Sequence, residues 1–366
     1  MPVDVGLARL SNDLISGGII AYSLGFLGFA VDAAFGNHAS AASRRAVAMT
    51  SRAAEVVKTP AMAGAAGPPS GARGAGVSLT DPAAADSAAL PGPAASAPTG
   101  SGRTPASGIG GGFARRVGRL AIGLTLVGWV LQMGAIVSRG VSVHRLPWGN
   151  MYEFTLALTF AAVTAFLVTL IRQPVRYLGV FVMAPVVLAL GLAVMVLYVP
   201  AAPLMPALHS YWLGIHVTAA IIASGVFMVG TAATVMFLIA DRHAVAIANG
   251  KPVRFAALAR MMPDPETLDR TAYRAFAFAF PIWTFAVIAG AIWAEYAWGH
   301  YWQWDPKETW AFITWIVYAG YLHARATAGW RGRNAAYIAM LGFATIIFNF
   351  FVINIFVSGM HSYAGV

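Results

Sequence analysis

The chain has no cysteine. Disulfides, thiolate metal sites and cysteine nucleophiles are therefore excluded. Charge is scarce as well: 10% of the 366 residues are Asp, Glu, Lys or Arg, against roughly 25% in soluble domains. Acidic charge is the rarer sign, with 14 Asp and Glu against 24 Lys and Arg, for a net charge of +10. So little charge excludes an ordinary soluble domain and an extended coiled coil. Apolar character is what abounds, with 58% hydrophobic residues and a mean hydropathy of +0.68. That composition is the mark of a polytopic membrane protein.

Apolar segments of about 20 residues cross a bilayer as helix. Eight are expected, near 15–35, 118–138, 151–171, 177–199, 212–240, 275–294, 309–326 and 335–357. Pro185 and Pro281 fall inside two of them, which membrane helices tolerate when neighbours satisfy the freed carbonyl. The first segment is about span length and follows an acid, Asp13, so it reads as a retained helix and not a cleaved signal peptide. Residues 37–117 are rich in Ala, Gly, Pro and Ser, with stretches such as "AGAAGPPSGARGAG", and show no apolar periodicity. They read as a long disordered linker. The expected fold class is all-α, a polytopic integral membrane helical bundle of about eight transmembrane helices. It comprises an N-terminal transmembrane helix (1–36), a disordered cytoplasmic linker (37–117) and a seven-helix membrane domain (118–366).

Basic residues accumulate on the cytoplasmic side of membrane proteins. With the linker inside, only Arg9, Arg139, Arg145 and Lys307 of the 24 basic residues fall outside, and both termini lie outside. The net charge of +10 then reads as a topology signal. A lipid bilayer is the partner it implies, and no nucleic acid is expected.

The external connection between the sixth and seventh segments reads "WAEYAWGHYWQWDPKETW". It holds Trp293, Trp298, Trp302, Trp304 and Trp310, five of the chain's 11 tryptophans. An interfacial belt is the plain explanation for tryptophan at a helix end. Such density in one connection favours a platform for a large, flat, apolar ligand. Asp305, Lys307 and Glu308 in this loop read either as solvated charges or, for Lys307, as a contact for an anionic ligand edge.

Ionisable groups within a membrane are costly and default to functional suspects. His216 sits one turn into the fifth segment and His361 just past the eighth, both at the outer side. Two neutral imidazoles at one level beside an aromatic shelf suit axial ligation of haem iron. His323 lies about 13 residues into the seventh segment, so ~20 Å from its outer end, beside Arg325. It reads either as a packed, hydrogen-bonded histidine or as part of a second haem position nearer the cytoplasm. His300, within the tryptophan-rich loop, is a further ligand candidate. In "RLPWGNMYEF", Arg145 reads either as a bidentate partner for a ligand carboxylate or as part of a helix start with Asn150 as its N-cap.

"WGHYWQWDPKETW" resembles the tryptophan-rich WWD signature of the haem-handling proteins of cytochrome c biogenesis. The segments "NMYEF", "YWLGIHV", "YLHAR" and "GMHSYA" resemble the CcsA/ResC type, named CcsB in some bacteria, and the resemblance covers about 118–366. It implies that His216 and His361 ligate the iron of haem b as a bis-His pair on a shelf formed by Trp298, Trp302, Trp304, Asp305 and Trp310, with Arg145 at a propionate. It implies that His323 belongs to an inner site whose other ligand comes from a ResB-like membrane partner. It further implies a cytochrome c synthase complex in a bacterial plasma membrane, which moves haem outward and presents it on the extracytoplasmic loop. There the haem is attached to CXXCH of apocytochrome c. Two alternatives are a haem exporter that hands its cargo to a chaperone and, from another class, a permease that carries no haem.

Overall fold

The computed structural model describes residues 3–35, 109–173, 175–203, 208–250, 262–327 and 329–361. Among these the chain is helical throughout, with no strand. Eight long helices run α1 (Val5–Phe35), α2 (Ile109–Ser142), α3 (Met151–Arg172), α4 (Gly179–Met195), α5 (Tyr211–Ala248), α6 (Pro265–Trp298), α7 (Pro306–Thr327) and α8 (Arg333–Ile347). A single 3-10 turn, Arg176–Leu178, leads into α4, and a π-helical segment, Phe348–Ile353, continues α8.

Each helix occupies an expected segment, and all but α7 are long and apolar enough to cross a membrane, α4 together with its leading 3-10 turn and α8 together with its continuation to Phe356. α7 has the length, at 22 residues. Lys307, Glu308, His323 and Arg325, with its Trp, Tyr and Thr residues, keep it short on apolarity. Most of the expected linker, 37–108, lies outside the described residues. Its end, 109–117, is instead the start of α2, because Arg115, Arg116 and Arg119 can extend a helix past the bilayer where the apolar count stops.

Side-chain caps set several boundaries. Asn150 accepts the Glu153 N–H at 2.9 Å to open α3, and Asp264 accepts that of Thr267 at 2.9 Å ahead of Pro265 in α6. Gly299 ends α6 in the left-handed region at φ 80°, its N–H on the Glu295 carbonyl.

α5 is the central helix: from Ala219 to Ala240 it is buried on nearly every side, and so it is apolar all round. At Gly225 it comes so close to α3 that a Cβ would stand 2.7 Å from the Ala162 nitrogen. On its other side the Phe227 ring stacks on Tyr318 of α7, with centroids 4.0 Å apart. α1 packs along α2, where the Tyr22 hydroxyl donates to Gln132 Oε1 at 2.7 Å. Gln132 Nε2 in turn donates to the Leu156 carbonyl at 3.0 Å and to Thr159 Oγ1 at 2.9 Å. A buried carboxamide with no water available must find such partners, and these tie α1, α2 and α3 together.

Candidate functional site

A cavity of about 460 Å³ opens among α3, α4, α5, α6 and the π-helical end of α8. That is within the ~300–1,000 Å³ range of small-molecule sites. Its wall is overwhelmingly apolar. Trp148, Trp283, Trp293, Trp298 and Trp302 line it, together with His216, His361, Lys307, Glu308 and Asn349. The first turns of α3 and α5, the last turns of α6 and the start of α7 all converge here, so segments far apart in sequence supply one wall.

His216 and His361 both pack against one indole, that of Trp293. The His216 ring lies nearly parallel to Trp293, 8° between planes and 6.1 Å between centroids, and His361 lies 5.7 Å from the same ring at 61°. Trp293 itself is 1% exposed, and Trp298 packs edge-on against both it and His361. Trp293 and Trp298 thus form an aromatic wall against which both imidazoles rest.

Each imidazole is also fixed in its tautomer. His216 Nδ1 lies 2.7 Å from the Ala286 carbonyl of α6. A carbonyl can only accept, so Nδ1 carries the proton and Nε2 the lone pair. His361 Nδ1 lies 2.8 Å from Asp305 Oδ2, which again makes Nδ1 the donor. A second partner that orients a histidine through its other nitrogen is how proteins prepare metal ligands. Gly290 is what lets α6 come so near, since a Cβ there would meet the His216 ring at 2.7 Å. The site chemistry therefore fits haem: a flat apolar wall, two histidines with paired Nδ1 atoms, and no competing thiolate anywhere in the chain.

Asp305 holds the tail against the tryptophan-rich loop. It accepts the Met360 N–H at 2.6 Å and the Lys307 N–H at 3.1 Å besides His361. Burial alone would raise its carboxyl, but His361 and those two N–H groups hold it below its usual value. Glu308 turns back to accept the Gln303 and Asp305 N–H groups at 3.0 and 3.2 Å. Gly359 stands where a Cβ would fall 2.6 Å from Asp305 Oδ1, so the tail can pass only as glycine.

The structure does not gather all the expected residues. Trp298, Trp302, His216 and His361 line the cavity, and Asp305 lies behind His361. Trp304 does not face it: at φ 60° it holds its indole 66% exposed, edge-on to Trp302. A bulky residue in that region of φ is strained. Trp310 stacks on Phe348 at 4.0 Å, away from the cavity. His300 stacks on Trp298 at 6.3 Å without reaching the cavity wall.

Arg145 is committed elsewhere. Nη1 and Nη2 reach the Glu153 carboxylate at 2.7 and 3.1 Å, and the remaining donors take the carbonyls of Ala202 and Leu146. Arg139, buried on the other side, donates to Glu153 at 2.8 Å and to the Val199 carbonyl at 2.6 Å. Glu153 also accepts the Gly149 N–H. This buried clamp joins α2, α3 and the segment after α4, and Asn150 does cap α3 as the second reading of Arg145 required. His323 lies on the exposed face of α7, in register with Ile316, and lines neither cavity.

Comparison with known proteins bears on the same residues. The family model described as "Cytochrome C assembly protein" matches residues 148–361, which include the whole cavity wall from Trp148 to His361. The protein named cytochrome c biogenesis protein CcsA of Guillardia theta is 34% identical over 258 residues, spanning 67% of this chain and 85% of the relative. Its namesake from Picosynechococcus sp. (strain ATCC 27264 / PCC 7002 / PR-6) is 33% identical over 300 residues, spanning 68% and 87%.

Proposed function

The chain belongs to the cytochrome c assembly protein family, and from that premise we propose that it is the haem-binding membrane subunit of a cytochrome c synthase complex. It is a multi-pass membrane protein with a role in cytochrome c biogenesis. The observation that carries the finer reading is that His216 and His361 both pack against Trp293 at the cavity, each with Nδ1 on a fixed acceptor.

On this reading, haem b is cargo held between the two Nε2 atoms at the extracytoplasmic end in a bacterial plasma membrane. The vinyl groups of haem take up the Cys thiols of apocytochrome c CXXCH, each thiol adding sulfur and hydrogen across one C=C bond to leave a thioether with no redox change. The chain's own residues bind and orient. His216 and His361 hold the iron, Trp298 and Trp302 carry the ring face, and the apolar cavity excludes water. The exposed indole of Trp304 extends the shelf toward the acceptor. His323, on an outward face of α7, suits an inner site completed by a ResB-like membrane partner.

The test is the absorption spectrum of the complex purified after co-expression with that partner. A Soret band is expected, lost in His216→Gly and His361→Gly and restored by added imidazole. Absence of a Soret band in the wild type favours a permease without haem. Unchanged bis-His absorption in both variants removes the ligand assignment.

A further inference from the structure

The cavity wall carries a cation that makes no ion pair among the described residues, with Asp305 acting on it only from a distance. Lys307, in the first turn of α7, lines the wall, and its Nζ donates to Asn354 Oδ1 across the cavity edge. Among the described residues no carboxylate lies within ion-pair distance of it. The neighbouring acids are engaged: Asp305 holds His361 and two backbone N–H groups, and Glu308, which also lines the cavity, accepts the Gln303 and Asp305 N–H groups. An ammonium offers three protons, and one carboxamide oxygen answers a single one of them. A cation left unmatched against an apolar wall is costly unless something anionic arrives.

The π-helical segment brings two carboxamides to this place. Asn349 and Asn354 are five residues apart, which on an α-helix would set them roughly 140° apart. The wider π turn lets both line the cavity, a distortion that tends to mark functional sites. Asn354 Nδ2 is anchored on the Phe350 carbonyl at 2.8 Å. Asn349 is 8% exposed, donates weakly to the Lys307 carbonyl at 3.3 Å, and has an Oδ1 with no hydrogen-bond partner. The orphan Oδ1 is an acceptor and does not meet a carboxylate, so the group that answers an anion here is the Lys307 ammonium.

We propose that Lys307, held in place by Asn354, is a carboxylate seat that takes a propionate of the haem held by His216 and His361. This rests on the haem reading above and adds to it a function: a carboxylate fixed at one edge of the macrocycle determines which edge is offered to the acceptor. Lys307 is then a positioning and selectivity residue, distinct from the iron ligands.

The experiment depletes the purified complex of haem and titrates it with haem or with haem dimethyl ester, whose propionates carry no charge. Wild type is expected to bind the free acid on the order of tenfold more tightly or better, as for a charge-assisted contact. Lys307→Gln should bring the two ligands to within about twofold, and Lys307→Arg should keep the preference because the charge remains. Asn354→Asp gives Lys307 an internal carboxylate and should abolish the preference while the Soret band persists, which decides the matter if Lys307→Gln fails to fold. A preference retained in Lys307→Gln or in Asn354→Asp overturns the seat, as does equal binding of both porphyrins by wild type. A wild type that binds neither overturns the haem reading itself.

Discussion

Where α5 ends and α8 begins, Asp241 takes the Nε–H of Arg333, and nearby Arg325 of α7 meets both oxygens of Asp269 at 2.7 and 2.9 Å. Every charge in those two pairs has its opposite, and a cavity beside Asp269 and Tyr321 measures only about 10 Å³. At the other end of the same helices the acids serve backbone and histidine, Lys307 faces a cavity of about 460 Å³, and two imidazoles are aimed by their second nitrogen. One end uses its charges to close the bundle. The other leaves polar groups oriented and unmatched, as a site must until its ligand arrives.

The comparison breaks most readily at the clamp that frames the cavity end. Glu153→Ala strands two buried guanidinium groups, and a loss of about 3–5 kcal/mol is expected in denaturant unfolding of the detergent-solubilised protein. Arg325→Ala at the closed end should cost about 2 kcal/mol, because it strips Asp269 of a bidentate partner, yet leave the haem-over-ester preference intact. A change in that preference would show that the two ends are coupled. Gly290→Ala pushes on the His216 ring and should cost on the order of 1 kcal/mol while disturbing the bis-His spectrum, a disproportion that only a ligand site produces.

Acid sharpens the contrast. Asp305 sits below its usual value, so the charged form is favoured in the folded chain; its contribution is complete above the ordinary carboxylate value near 4 and is lost as pH falls through the lowered one. In Asp305→Asn the spectral signature of His361 should be weakened at neutral pH, because the acceptor on its Nδ1 loses its charge. The smallest effect belongs to Arg270→Ala, whose i,i+4 pair with Glu266 is exposed. No more than about 0.5 kcal/mol and no spectral change are expected.

Much of this was legible in one dimension. Long apolar runs place all eight helices, since apolarity over a bilayer's thickness is a local property. His216 and His361 stood out because an imidazole in such surroundings is costly and so needs a reason. Tryptophan density pointed to the right loop and to Trp298 and Trp302, which line the cavity, but not to which indoles turn away. Trp293 packs against both histidines, while Trp304 faces outward and Trp310 packs on Phe348. Which indole faces a cavity depends on how α6 and α7 are rotated, and composition does not contain that angle. Asn349 and Asn354 carried a usable signal, two carboxamides in the apolar run "FNFFVIN", where polar groups seldom occur without a role.

The sequence by itself determined that the chain is a helical membrane protein with histidines near one side and a tryptophan-rich connection beside them. Hydropathy and residue chemistry act over a few turns of helix, so no partner need be known. Only the tertiary structure decided that Arg145 closes a clamp on Glu153, that His323 faces outward, and that Lys307 stands at a cavity without an ion pair among the described residues. Each of those outcomes depends on which of several possible partners comes within hydrogen-bond reach. Packing sets those distances among helices brought together from distant parts of the chain.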